Sequence, residues 1–125
     1  MDREYFIEKV EEIRSASIDI LIERNMGKNG YAKDSEDAVH NFTVGANMLA
    51  KENGTPAQAA WEYMVKHLVA LRDKVVNSDF SRPEDTKENC RDIINYTSII
   101  YAISCYMNDL ENEKIKRSAS KNDKV

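Results

Sequence analysis

From Glu84 to Lys124 the chain contains neither glycine nor proline, the two residues that usually end or kink a helix. Along this stretch Ile93, Tyr96, Ile100, Ile103, Met107 and Leu110 recur every three or four residues, with Ile99 and Tyr106 beside them. That is the period of one face of an α-helix. Ser81-Arg82-Pro83-Glu84 supplies a start, with glutamate three residues after a capping serine. A single long helix is therefore predicted, and elements packed beside a long rod with one apolar stripe are most simply helices themselves.

The remaining segments agree. Arg3 to about Arg24 sets Phe6, Val10, Ile13, Ser17, Ile20 and Leu21 on one stripe, with Asp2 placed to cap it. The glycines and asparagines of residues 25–31 suit a loop. A second helix is expected from Asp34 or Ser35, burying Ala38, Phe42, Ala46 and Leu49 and stopping at Asn53-Gly54. Thr55-Pro56-Ala57-Gln58 then joins a capping threonine, proline at the first helical position and glutamine at the third. The third helix carries Ala60, Met64, His67, Leu71 and Val75 on its stripe, widened by Tyr63 and Leu68, as far as about Val76.

The predicted fold is all-α, an antiparallel bundle of four main helices. A length of 125 residues suits one domain, read here as 1–112, with 113–125 a charged flexible tail. The wide apolar face of the last helix exceeds what three neighbours cover, which predicts a homo-oligomer. The start of the chain lacks the order of a secretory signal, and no apolar run reaches the ~20 residues that span a bilayer. Cys90 and Cys105 lie in no metal-type cluster and are read as reduced. These features point to a cytoplasmic protein with no membrane partner. A net charge of -4 argues against broad nucleic-acid binding, and the basic residues of the tail read as a solubilising terminus.

Phosphate-binding glycine loops, His-Glu-x-x-His, Cys-x-x-Cys and a nucleophile elbow are all absent from the sequence. What stands out is polar residues on otherwise apolar helices: Asp37, His40 and Asn41, then Glu62, Lys66 and His67, then Glu88, Asn89, Asp92 and Asn95. Asp37/Asn41, Glu62/Lys66 and Glu88/Asp92 are each one turn apart, so three helices can present polar pairs to one hollow. Carboxylates there suit a hard cation and lysine suits phosphate. The structural alternative is an ion pair of Lys66 with Asp92 that sets helix register, asparagines that only satisfy neighbours, core histidines, and tyrosines that only pack.

The order Gly30-Tyr31, Asp37-Ala38-Val39-His40-Asn41-Phe42, Met64-Val65-Lys66-His67-Leu68 and Glu88-Asn89-Cys90-Arg91-Asp92-Ile93-Ile94-Asn95-Tyr96 resembles a small phage and prophage family. That family is related to the nucleotide-modification-associated domain and is similar to MazG-like all-α nucleotide pyrophosphatases. The likeness covers about Gly30 to Tyr106. It implies a bundle that binds, and in the enzymatic version hydrolyses, a nucleotide in the host cytoplasm. Asn41, Lys66, Asn95 and Tyr96 are the expected ligand-binding residues, and Glu88 and Asp92 the expected holders of Mg²⁺. The sequence departs from the MazG-like metal pattern, since Asn89 stands three residues before Asp92, and only Glu8, Glu11 and Glu12 offer a first acidic set. Two non-catalytic alternatives follow: a phage factor that blocks a host or defence protein, or a nucleotide-sequestering protein.

Overall fold

The computed structural model describes residues 1–26, 40–48 and 54–123. Four helices make up this part of the chain: α1 (Arg3–Met26), α2 (His40–Met48), α3 (Pro56–Val76) and α4 (Pro83–Asp123). Among the described residues there is no strand. The expected start of α2 at Asp34 or Ser35, its end at Asn53, and the buried roles of Ala38 and Leu49 lie outside the described residues.

Local chemistry sets the helix ends. Asp2 Oδ1 accepts the Tyr5 N–H at 2.8 Å and caps α1. Thr55 closes a full capping box, accepting the Gln58 N–H at 3.2 Å while its own N–H donates to Gln58 Oε1 at 2.9 Å. At the far end of α3, Ser78 adopts φ 50°. Its N–H donates to the Val75 carbonyl and the Asp79 N–H to the Lys74 carbonyl, the paired closure of a Schellman turn. The start of α4 differs from expectation. Ser81 does not cap it; its hydroxyl donates to Asp79 Oδ1 at 2.7 Å, which holds the Asp79 carboxyl below its ordinary range. The Arg82 carbonyl takes the first helical bonds instead, from the N–H groups of Asp85 and Thr86.

The helices form an open arc. α2 packs on α3, α3 on α4, and α4 on α1, whereas α1 and α2 make no backbone contact among the described residues. α3 and α4 run antiparallel: His67 meets Asp92, while Ala59 and Ala60 near the start of α3 pack with Ile99 and Ile103 further along α4. Across α2/α3, Phe42 meets Tyr63. α1 departs from the expected antiparallel pattern. Glu12 pairs with Lys87 at 3.1 Å, while further along both helices Leu21 and Ile94 line a common cleft, so α1 runs parallel to α4. Both Lys87 and Lys9 donate to Glu12, holding its carboxyl below the usual glutamate range.

The core consists of Phe42 and Ala46 from α2, Ala59 and Ala60 from α3, and Ile99 and Ile103 from α4, with Leu21, Tyr96 and Ile100 against it. The small residues at 46, 59 and 60 let three helix axes approach closely. At Gly45, also buried, a methyl group would overlap the Tyr63 hydroxyl, so a larger residue there would require the tyrosine to shift. Phe6 and Val10, expected on the buried stripe of α1, are exposed. With α4 as its sole backbone neighbour, α1 buries Ser17 and half-buries Ile13, Ile20 and Leu21, leaving its first turns to solvent.

At 1.5 Å per residue α4 is about 61 Å long, against about 31 Å for α3. It therefore overhangs its partners. Beyond Ile103 every residue to Lys121 is exposed except the half-buried Leu110, and Tyr106, Met107 and Ile115 project as large apolar groups. Helix continues through 113–123, the segment expected as a flexible tail. No breaker interrupts it, and Glu113 stands one turn before Arg117 in the favourable order for a helix surface.

Candidate functional site

Two polar residues, Asp92 and Asn95, are buried in the first third of α4, 6% and 2% exposed. They lie three positions apart, and α4 is flanked there by α3 on one side and α1 on another. Each looks toward a different neighbour.

Asp92 faces α3. One carboxylate oxygen lies 3.6 Å from His67 Nδ1, and the other accepts from Arg91 Nε at 3.4 Å. The His67 ring lies over Tyr96 at a centroid distance of 5.7 Å and 31°. Tyr96 receives the edge of Phe42 at 6.1 Å and 89°, a favourable arrangement for the ring quadrupoles. Phe42 in turn contacts Tyr63 at 5.8 Å. Three helices thus meet around a row of rings with one carboxylate at its end.

The residues expected to fill this place are only partly there. Asp92 and Tyr96 belong to it. Lys66 is exposed and is not among the partners of Asp92; its neighbour His67 points inward instead, since one residue along a helix is about 100° around it. Phe42 of α2 reaches the seam, while the side chain of the adjacent Asn41 lies outside the described residues, as do Asp37 and the side chain of His40. Glu88, its side chain 62% exposed, approaches Arg91 at 4.0 Å. The Arg91 guanidinium thus faces both Glu88 and Asp92.

A divalent ion needs several oxygen ligands; of the two Asp92 oxygens, Oδ1 accepts from Arg91 and Oδ2 lies 3.6 Å from His67 Nδ1. Among the described residues no three carboxylate, imidazole or thiol groups converge on one point. Cys90 and Cys105 are free thiols.

Asn95 faces α1. Together with the buried Ser17 it lines a cleft of about 600 Å³, a volume in the range of small-molecule sites. Its Nδ2 has no hydrogen-bond partner among the described residues. Leaving such a donor unmade costs about 1–3 kcal/mol. Asn95 was anticipated as a ligand residue, but its companions Arg14 and Ser17 were not. A signal did exist, because Ser17 is the one polar member of the stripe on α1.

Comparison with known proteins finds no matching family model, no matching curated protein and no matching solved structure.

Proposed function

We propose that this chain is a phage-type, MazG-like helical protein that binds a nucleotide or another phosphorylated small molecule. The observation that carries this reading is the unpartnered amide of Asn95, buried beside an open cleft. A folded chain retains a buried donor without a partner at a cost in stability, and a ligand acceptor is the simplest return on it. The residue order of α3 and α4 supports nucleotide chemistry through its family resemblance. Engagement of Asp92 by His67 and Arg91 favours binding over metal-assisted hydrolysis. Thermal unfolding with a panel of nucleoside mono-, di- and triphosphates tests this, with and without Mg²⁺, beside an assay for pyrophosphate release. A rise in Tm without pyrophosphate release is expected; a Tm unmoved by every nucleotide refutes the proposal.

A second reading rests on the overhang of α4. Tyr106 and Met107 continue the core stripe past the ends of α1 and α3. This supports a homo-oligomer, or an interaction protein whose partner is a host protein, with α4 as the contacting element. Light scattering separates the two: a multiple of 14.3 kDa that Met107→Lys reduces to the monomer supports self-association, and a monomer at all micromolar concentrations refutes it.

A further inference from the structure

Deepening the nucleotide reading, on which it rests, we infer that the ligand is a nucleoside monophosphate, held between α1 and α4 with its base against Asn95 and its phosphate at Arg14. The site differs from the hollow between α2, α3 and α4 that the sequence pattern suggested, and it recruits a helix that pattern left aside.

The walls of the cleft divide by chemistry. Ile18 and Leu21 from α1 and Ile94 from α4 supply apolar surface on both sides, suited to the faces of a flat ring. At the back lie Ser17 and Asn95, each 2% exposed. The Ser17 hydroxyl donates to the Ile13 carbonyl at 2.6 Å, so toward the cleft it offers lone pairs only. Ser98, also lining the cleft, spends its proton in the same way on the Ile94 carbonyl at 2.7 Å. The free donor is Asn95 Nδ2. Asn95 lines the cleft, and the terminal torsion of an asparagine is soft. One donor beside fixed acceptors matches the edge of a nucleobase, where acceptor and donor atoms alternate.

Charge limits the other end of the ligand. Among the described residues Arg14 is the one cation lining the cleft, and Glu11 lies about one turn before it on the same rim. Lys66 is exposed on α3, and Arg91 is engaged by Asp92 and Glu88. One guanidinium can hold a single phosphate through a bidentate contact, and the neighbouring carboxylate weighs against further negative charge. A triphosphate would bring two more charged groups to a rim that, among the described residues, has no further cation and has a carboxylate to repel them.

The arrangement is tested by titration calorimetry of the full chain, without metal, against uridine and guanosine mono- and triphosphates and the corresponding nucleosides. Monophosphates are expected to bind on the order of tenfold more tightly than triphosphates. Arg14→Gln should weaken monophosphate binding on the order of tenfold and leave the nucleoside affinity unchanged. Asn95→Leu should abolish binding of both while the variant unfolds at no lower temperature than the parent, which excludes loss of folding as the cause. Ser98→Cys, at the cleft, gives an independent readout: the monophosphate should slow its alkylation and leave that of the exposed Cys105 unchanged. Monophosphate binding that neither Asn95→Leu nor Arg14→Gln alters overturns this site and leaves the nucleotide reading standing. Triphosphates binding as tightly as monophosphates overturn the charge limit, and no binding of any nucleotide overturns both the site and the reading beneath it.

Discussion

The two sides of α4 treat a buried polar group in opposite ways. Toward α3, Asp92 meets His67, with its α4 neighbour Arg91 on its other oxygen, at the end of a row of rings formed by His67, Tyr96, Phe42 and Tyr63. Toward α1, Asn95 keeps an amide hydrogen-bond donor with no partner beside a cleft of about 600 Å³. The first arrangement satisfies its polar group inside the protein and so contributes to register and stability. The second holds a capacity in reserve, which is what a binding site requires. One helix thus carries a structural polar group and a functional one, and the difference lies in what each neighbour brings to meet it.

Substitution should expose that contrast, most strongly at Asp92. Asp92→Ala leaves Arg91 and His67 without their acceptor and should lower the unfolding free energy by about 3 kcal/mol, read from urea denaturation. Asn95→Leu should move the other way, raising stability by about 1–2 kcal/mol, because an apolar group of similar size removes an unsatisfied donor. If both variants are destabilised alike, the distinction between the two sides fails. Ser78→Gly, at the turn between α3 and α4, is expected to stabilise by about 1 kcal/mol by relieving a left-handed backbone. That gain should leave ligand binding on the α1 side unchanged.

The smallest effect concerns the docking of α1. The Glu12 carboxyl titrates below its ordinary value because Lys87 and Lys9 bond to its charged form. Its contribution to stability is therefore complete above the unfolded glutamate pKa and is lost as pH falls through the lowered folded value. Thermal melts of the parent and of Glu12→Gln should differ slightly at neutral pH and converge in acid. A gap that widens on acidification would contradict the ion pair.

Much of the architecture was legible in the linear pattern, and the reasons are local. Asp2 and the Thr55–Gln58 box act as caps where the residue types said they would, since a cap depends on atoms within one turn. The long run without glycine or proline became one helix, extending through the basic segment where a flexible tail was expected. Ser81 misled because a capping hydroxyl competes with any nearer acceptor, and Asp79 stands two residues away. Lys66 and His67 show the same limit on a helix face: neighbours in sequence, they differ by about 100° in direction, and only packing against α4 decides which one turns inward.

The sequence by itself determined four helices, the caps of α1 and α3, and the presence of buried polar residues on α4, because each follows from periodicity or contacts within a turn. Only the tertiary structure decided that α1 lies parallel to α4 instead of beside α2, that Asp92 and Asn95 face different helices, and that the second is left unpartnered. Those outcomes depend on which apolar stripes meet across long separations in the chain, and the spacing within a single helix does not encode its neighbour.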